Sequence, residues 1–270
     1  MTSGQGTGGL GGETASSHTQ DRSTSRSGRR SLWHRALKHV PLPGVITRVR
    51  TSKPLIALTF DDGPDPSSTP AVIEILERHG AQGTFFMRGE AAARHPDLVR
   101  RVAEGGHDVG NHTWSHPVLP RLPGRERRRE MRACQDVIEA HNRSRLFRPP
   151  YLAQSRASRC DSLRLRMRVI FSNVDSHDWW LKDSVEILQK MLANPQGGDI
   201  VLLHDALFVP TGWSLPHPPF PDRGPMQEAL DRYLTELRGR FTFVSITELL
   251  DAGDPVCEQR FAMGPAPLGR

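Results

Sequence analysis

Two adjacent carboxylates, Asp61 and Asp62, follow an apolar run at residues 55–58 and precede the turn-forming pair Gly63-Pro64. Successive residues of an extended strand point to opposite faces, so the two acids can take different chemical roles. One carboxylate can bind a metal ion while the other accepts a proton. The structural alternative is a strand that ends in a polar turn, because Asp, Gly and Pro all favour turns.

Two histidines, His112 and His116, are separated by four positions. On one helical turn or in a tight loop, both imidazoles can face one point. Adding one carboxylate gives a His-His-Asp set with open coordination positions, which suits a catalytic zinc or a similar divalent ion. In a chain with 12 histidines, such a pair is weak evidence by itself. Its value depends on whether the fold brings a carboxylate to it.

Strand-like and helix-like runs alternate from Pro54 onward. The predicted strands are residues 55–60, 84–87, 107–111, 146–148, 169–173, 200–203 and 241–244, and the predicted helices are residues 71–79, 96–104, 124–141, 185–193 and 226–237. This alternation favours parallel βαβ units in an α/β barrel or an open sheet. Seven strands suit a barrel-like closure, in which functional residues lie at the carboxyl ends of the strands.

Polar residues recur at the carboxyl ends of these predicted strands. They are Asp61, Asp62, His112, His116, Arg148, Tyr151, Asp175, Asp178, Trp179, His204 and Asp205. In an α/β barrel such ends converge on one face, so we expect these side chains to form one site. A Pro-rich segment at residues 206–224 has no periodicity and predicts a long loop near His204.

Basic side chains are concentrated near the N-terminal end of the 270-residue chain. Residues 1–53 hold nine Lys and Arg against two Asp and Glu, whereas the remainder holds 27 basic and 28 acidic residues. The formal net charge of +6 therefore belongs to the N-terminal segment, and the rest of the chain is nearly neutral. This balance argues against a nucleic-acid-binding domain.

The N-terminal segment has two parts. Residues 1–30 contain almost no large apolar side chain and are predicted to be disordered. Residues 31–42 place Trp33, Leu37 and Val40 at helical spacing among basic residues. This pattern indicates a short amphipathic helix for a membrane surface or an anionic polymer, or else a small helix or linker against the domain.

The three cysteines form no CxxC pair, so a disulfide framework or a thiolate zinc site is not expected. The first 30 residues lack an apolar signal-peptide core, and no apolar run has the length of a membrane span. A cytoplasmic location is the default expectation, with association with the cell envelope left open.

Five motifs resemble those of the NodB-like polysaccharide deacetylases of carbohydrate esterase family 4. They are TFDDGP at residues 59–64, HTWSH at 112–116, RPPY at 148–151, Asp-Trp at 178–179 and Leu-Leu-His at 202–204. Each motif is weak to moderate alone, but all five occur in the family's order between about residues 55 and 250. The resemblance implies a distorted (β/α) barrel of the glycoside hydrolase/deacetylase type, with about seven parallel strands.

The resemblance also implies a metal-dependent deacetylation. Matched position by position, Asp62, His112 and His116 would hold one divalent metal ion. Zinc is the expected ion, with cobalt or another divalent ion as the alternative. Asp61 would be the general base for the attacking water, and His204 would be the general acid for the departing amine.

The remaining motif positions would support that chemistry. The backbone N–H of Tyr151 would help to stabilise the oxyanion. Arg148 and Asp178 would pair with each other and keep the base poised, and Trp179 and Leu202 would line the pocket for the acetyl methyl group. The structural alternatives are a salt bridge without effect on turnover for the first pair and ordinary core residues for the second.

The expected organisation is a basic tail at residues 1–50, a catalytic domain at 51–252 and a short C-terminal tail at 253–270. The expected partner is an acetylated carbohydrate of the chitin or peptidoglycan type, with no nucleic acid and a monomeric state. Weak association of the basic tail with an anionic membrane or cell-wall polymer remains open. The alternatives are hydrolysis of an O-acetyl ester such as acetylxylan, hydrolysis of a small non-sugar amide, or carbohydrate binding without catalysis.

Overall fold

The structure is a computed structural model, and it describes Met1, residues 42–208 and residues 221–264. The residues from Leu42 onward form a compact unit of their own. The predicted helix at residues 31–42 therefore lies outside the described residues, apart from Leu42. In the described ranges no helix combines the length and the apolar character that a membrane crossing requires.

Within the described ranges, ten strands form two sheets. The strands are β1 (Val45–Arg50), β2 (Leu55–Asp61), β3 (Gly83–Met87), β4 (Asp108–Asn111), β5 (Leu146–Phe147), β6 (Arg168–Val169), β7 (Val174–Asp175), β8 (Ile200–His204), β9 (Thr242–Val244) and β10 (Asp254–Glu258). The main sheet is parallel and follows the order β6-β5-β4-β3-β2-β8-β7, while β9 pairs with the first residues of β2. Strands β1 and β10 pair antiparallel in a second sheet.

The two ends of the main sheet lie close together in space. Strands β6 and β7 are at opposite ends of the strand order, yet only residues 170–173 separate them in sequence. Even fully extended, that connection spans at most about 18 Å. The sheet must therefore curl round, and β1 approaches its edge through a bridge between Ile46 and Ile170. This curled sheet confirms the predicted distorted barrel of parallel strands.

The alternation of β2 separates an outer layer from the barrel interior. Ile56, Leu58 and Phe60 belong to the large core between sheet and helices. Ala57 belongs to a different cluster, which fills the barrel interior. Because side chains alternate along a strand, the inward series of β2 continues through Thr59 to Asp61. The first of the two acids thus lies where the interior opens at the carboxyl end.

Neighbouring strands extend the same interior positions. On β8, Ile200 belongs to the interior cluster and precedes His204 by four residues, so both point to one face. On β5, Leu146 belongs to that cluster and precedes Arg148 by two residues. The parallel pairing places Asp61 opposite His204 in register. Strand period and register together bring these polar side chains to one end of the barrel.

Eight helices surround the described part of the sheet. They are α1 (Thr69–Arg78), α2 (Gly89–Arg94), α3 (Pro96–Glu104), α4 (Gly124–Ile138), α5 (Arg156–Arg164), α6 (Ser184–Met191), α7 (Gly224–Glu236) and α8 (Ile246–Asp251). The five predicted helices correspond to α1, α3, α4, α6 and α7. Helix α5 lacks an apolar stripe because its buried face is polar, and Asp161 on that face pairs with Arg127 of α4.

The folded unit is longer at both ends than the predicted catalytic domain. Strand β1 lies inside the predicted tail at residues 1–50, and β10 lies inside the predicted tail at 253–270. The two strands pair over Val45–Arg50 and Asp254–Glu258. The boundaries at residues 50 and 252 therefore cut through a paired sheet. A polar, Pro-containing sequence concealed β10, because its strand residues are mostly exposed.

Removing residues 2–41 is expected to leave the folded unit intact, whereas removing residues 2–50 is expected to unfold it. The longer deletion removes the buried side chains Val45, Ile46 and Val49. At about 1.5–3 kcal/mol for each buried side chain, this loss is comparable with the whole stability of a typical domain. Thermal unfolding of both deletions measures the difference. Equal melting temperatures for the two would contradict the role given to β1.

Candidate active site

Asp62, His112 and His116 form a compact set of candidate metal ligands, the metal cluster, at the carboxyl end of the barrel. Their ligand-type atoms all lie within 4.8 Å of one another, and all three residues are buried. Asp62 Oδ1 is 3.4 Å from His112 Nε2 and 3.1 Å from His116 Nε2. The fold thus brings a carboxylate from the end of β2 to two imidazoles from the loop after β4.

Left-handed backbone conformations build this cluster. Asp62 has a φ of 77° and His116 has a φ of 61°. The sequence predicts that Asp61 and Asp62 point to opposite faces, as in a continuous strand. Instead, the turn at Asp62 brings its carboxylate to the same imidazole as its neighbour: His112 Nε2 is 3.8 Å from Asp61 Oδ2 and 3.4 Å from Asp62 Oδ1. The two acids border one site.

The donor set fits a divalent metal ion. His112 Nδ1 lies 2.8 Å from the carbonyl oxygen of Arg148, which fixes the ring and leaves Nε2 with its lone pair toward Asp62. Asp62 Oδ1 is buried, and within the described ranges no group donates a hydrogen bond to it. Burial raises the pKa of Asp62, but the neighbouring imidazoles of His116 and His112 outweigh it and lower this pKa well below its usual range. Two imidazole nitrogens and one carboxylate oxygen with open positions are typical zinc ligands.

Arg148 fixes the carboxylate of Asp61. Its Nη1 donates to Asp61 Oδ1 and to Thr59 Oγ1, each at 2.8 Å. Its other nitrogens donate to the carbonyl oxygens of Ile170 and Phe171. The guanidinium is completely buried, so this arrangement is rigid. Because Asp61 Oδ1 accepts the hydrogen bond from Arg148, Oδ2 is the oxygen that faces the metal cluster.

The predicted pair between Arg148 and Asp178 is wrong. Arg148 pairs with Asp61, whereas Asp178 accepts a hydrogen bond from Arg223 Nη1 at 3.0 Å. Arg148 follows β5 and pairs with Asp61 at the end of β2. Asp178 follows β7 and pairs with Arg223. Asp178 therefore cannot position Asp61 through Arg148.

Asp178 orients His204 instead. His204 Nδ1 lies 2.9 Å from Asp178 Oδ1, and the backbone N–H of His204 donates to Oδ2 at 3.0 Å. Burial opposes a charged imidazole, but the charge and hydrogen bond of Asp178, with smaller contributions from Asp61 and Asp62, raise the pKa of His204 to about 9. His204 is therefore protonated at neutral pH, with Nε2 as its remaining donor.

Replacing Asp178 by Asn is expected to lower the pKa of His204 from about 9 toward the ordinary histidine value near 6.5. A raised folded-state pKa also means that protonated His204 adds stability below about pH 6.5, and that this stability is lost as the pH rises through about 9. NMR titration of the imidazole measures the shift. Asp175→Asn is the matched control, because Asp175 is half-exposed and contacts His177 rather than His204. An unchanged midpoint in Asp178→Asn would contradict the assignment.

Three further residues were predicted to belong to the site, and one of them, Tyr151, contacts the cluster. Tyr151 has a φ of 57° in a short 3-10 turn, and its ring contacts that of His116 edge-on at 4.6 Å. Leu202 is buried on β8, opposite Thr59 in register. Trp179 is half-buried directly after Asp178.

Sequence reasoning missed Arg223 and Ser176, which complete the hydrogen bonds of Asp178. Arg223 is 4% exposed and lies at the end of the Pro-rich segment, where no strand or helix pattern draws attention to it. Ser176 Oγ donates to Asp178 Oδ1 at 2.8 Å. Its spacing of two residues from Asp178 is the one signal that could have suggested this contact. Asp205, which the sequence places at a strand end, is buried against Thr69 rather than in the metal cluster.

A cavity of about 610 Å³ opens beside the cluster. Its lining includes Asp62 from the metal cluster, Arg88 after β3, Phe208 and Arg223. The backbone N–H of Phe208 donates to Asp62 Oδ2 at 2.8 Å, so the wall of the cavity is hydrogen-bonded to the cluster itself. The volume is within the usual range for a small-molecule site.

Comparison with known proteins shows the family to which the chain belongs. Residues 48–170 match the family model described as polysaccharide deacetylase. The chain is 36% identical over 165 residues to a chitooligosaccharide deacetylase of Azorhizobium caulinodans, covering 60% of this chain and 79% of the relative. The chain therefore belongs to the polysaccharide deacetylase family.

Two further similarities concern peptidoglycan deacetylases. The chain is 32% identical over 207 residues to the peptidoglycan-N-acetylglucosamine deacetylase PgdA of Listeria monocytogenes, covering 76% of this chain. It spans only 40% of the length of PgdA. A crystal structure of a peptidoglycan N-acetylglucosamine deacetylase superposes with a TM-score of 0.68 at 25% identity, covering 84% of this chain and 99% of that one.

Proposed function

We propose that this chain is a metal-dependent hydrolase that removes acetyl groups from N-acetylated amino sugars of a chitin-like or peptidoglycan-like glycan. The observation that carries the proposal is the arrangement of Asp61 and His204 on neighbouring strands beside the Asp62, His112 and His116 cluster. Each is oriented by a buried partner of opposite charge. A base, an acid and a metal-ligand set therefore share one end of the barrel.

Asp62, His112 and His116 would hold the metal. Zinc is the expected ion, and cobalt or another divalent ion is the alternative. When bound, the ion would supply Lewis-acid polarisation of the acetyl carbonyl and lower the pKa of water. The residues of the chain move the protons and exclude bulk solvent.

Asp61 acts as the general base. Its Oδ2 accepts a proton as the water oxygen bonds to the carbonyl carbon, while Arg148 holds Oδ1. The carbonyl oxygen then carries negative charge. The backbone N–H of Tyr151 donates to that oxygen, and the left-handed conformation of Tyr151 supports this assignment because it directs the local backbone away from a regular strand.

His204 acts as the general acid. Its Nε2–H transfers a proton to the amide nitrogen as the carbon–nitrogen bond breaks, which releases the sugar amine and acetate. The pair with Asp178 keeps the imidazole protonated at neutral pH, as the raised pKa of about 9 indicates. Leu202 precedes His204 by two residues on β8 and Trp179 directly follows Asp178, so we assign both to the pocket for the acetyl methyl group.

The protonated His204 favours amide over ester hydrolysis. A departing amine nitrogen must be protonated, whereas an ester oxygen leaves more readily and needs the acid less. O-acetyl esters such as acetylxylan are therefore a less favoured alternative substrate. Small non-sugar amides are the other alternative. Carbohydrate binding without catalysis fits less well, because it gives no reason for both the base and the acid to be oriented by buried ion pairs.

Acetate release across chitin oligosaccharides, peptidoglycan, acetylxylan and small acetamides tests the proposal. We expect release from the N-acetylated glycans and much less from acetylxylan. Release from acetylxylan alone would replace the proposed substrate class with O-acetyl esters. No release from any of these substrates by metal-loaded protein would contradict the enzymatic assignment.

A further inference from the structure

Arg88 differs from the other buried arginines. It follows β3 and is 8% exposed, and its guanidinium stacks on the ring of Phe208 with 4.3 Å between the charged carbon and the ring centroid. Its Nε is buried and has no hydrogen-bond partner within the described ranges. The remaining buried arginines of those ranges donate to carboxylate or carbonyl oxygens; they are Arg127, Arg148, Arg159 and Arg223.

A buried guanidinium without hydrogen-bond acceptors is costly. It carries five N–H donors and cannot lose its charge in a protein. Burial lowers the pKa of Arg88, and the charge of Asp62 opposes this shift. Desolvation of an unpaired charge destabilises the free protein, and an anion placed on the guanidinium would relieve that cost. The side chain is thus suited to bind an anionic group of a ligand.

Arg88 lines the same cavity as Asp62. Its backbone N–H donates to the carbonyl oxygen of Gly63 at 2.9 Å, which ties it to the turn after Asp62. A ligand group on Arg88 is therefore adjacent to the metal cluster. On an N-acetylated amino sugar, an anionic group bound by Arg88 would therefore belong to a substituent close to the acetamido group that is cleaved.

The other charges of the cavity are engaged. Asp65 accepts hydrogen bonds from Ser67, and Asp222 accepts one from the N–H of Gly224. Arg94 pairs with Glu90 at 3.2 Å. Among the arginines that line the described part of this wall, Arg88 is the one whose side chain has neither an ion pair nor a hydrogen-bond acceptor, since Arg223 donates to Asp178.

The acidic residues of the cavity limit the charge of the anion that can bind there. A dianionic phosphate would meet repulsion from Asp62, Asp65 and Asp222 in the same cavity. A carboxylate carries one charge, and its planar geometry matches the guanidinium fork. We propose that the cavity beside the metal cluster is a subsite for a carboxylate on the substituent next to the scissile acetamido group, with Arg88 as the specificity-determining residue. This inference rests on the proposed function.

The test uses the metal-loaded full chain and two matched substrates. One is an N-acetylated amino sugar oligosaccharide with a carboxylate on the neighbouring ring position, and the other is its carboxamide. For wild type we expect a lower KM for the acid than for the amide. The measured quantity is the KM of the carboxamide divided by the KM of the acid. Arg88→Gln is expected to reduce this KM ratio about tenfold or more, since charge-assisted hydrogen bonds contribute that much to affinity. Arg88→Lys should give an intermediate ratio, because it keeps the charge and loses the fork.

Arg94→Gln is the control, because Arg94 lies on the same wall and already pairs with Glu90; it should keep the wild-type ratio. An unchanged ratio in Arg88→Gln, or an equal loss for both substrates, would overturn the proposal. So would inorganic phosphate that competes more strongly than acetate in an Arg88-dependent manner. Calorimetric binding of the acid and the amide gives the same ratio without turnover. If neither substrate is hydrolysed yet the acid binds better through Arg88, the proposed function fails and the subsite stands.

Discussion

Replacing Asp61 by Asn is expected to lower kcat for acetate release by about two to four orders of magnitude, the usual contribution of general base catalysis. The amide of Asn cannot accept the proton of the attacking water at Oδ2. Its carbonyl oxygen can still accept from Arg148, so the geometry of the site should persist. KM should change little, because the substitution removes proton transfer in the transition state and leaves the contacts with bound substrate in place.

Metal content and folding separate a catalytic from a structural effect of Asp61→Asn. Metal content should stay close to wild type, since Asp62, His112 and His116 are unchanged. The variant should melt at a lower temperature, because Arg148 loses the counter-charge of a buried ion pair. Circular dichroism must therefore confirm folding at the assay temperature. Asp97→Asn is the matched control, since that carboxylate is 86% exposed. Acetate release by Asp61→Asn near the wild-type rate would contradict the mechanism.

Removal of the metal is expected to abolish acetate release, and added divalent metal is expected to restore it. A chelator takes the ion from the protein, and without it the acetyl carbonyl is not polarised. His116→Ala should reproduce the loss permanently. It removes one imidazole of the three-residue cluster, while the buried carboxylate of Asp62 loses the contact at 3.1 Å.

Elemental analysis and activity should change together in these experiments. The chelated protein should regain both on addition of zinc or cobalt, whereas His116→Ala should regain neither at the same concentration. His141→Ala is the control, because His141 is exposed and distant from the cluster in sequence. Full activity in chelated protein that contains no measurable metal would contradict the role of the cluster.

Much of the site could be predicted because the barrel follows simple geometric rules. Strand period and parallel register place Asp61, Arg148 and His204 at the carboxyl end of the sheet. The motif that contains each residue then indicated which other residues lie near it in the site. The curl of the sheet was expected from the family resemblance, because the alternation of strands and helices alone also allows an open sheet.

The remaining contacts depend on tertiary packing that no local pattern encodes. Arg148 and Arg223 each pair with an acid, but spacing does not tell which arginine meets Asp61 and which meets Asp178. The left-handed turn at Asp62 reverses the expected opposite orientation of the two acids. Strand β10 was missed for a related reason: its stability comes from pairing with β1 rather than from an apolar pattern.

We propose that this site hydrolyses the amide of an N-acetylated amino sugar. The most direct measurement incubates metal-loaded protein with a chitin oligosaccharide and with peptidoglycan fragments, and quantifies both acetate and the free amine of the product by mass spectrometry. We expect equal amounts of acetate and new amine, both formed at least about a hundredfold more slowly by Asp61→Asn. Intact N-acetyl groups on every substrate, or acetate released without a matching amine, would contradict it.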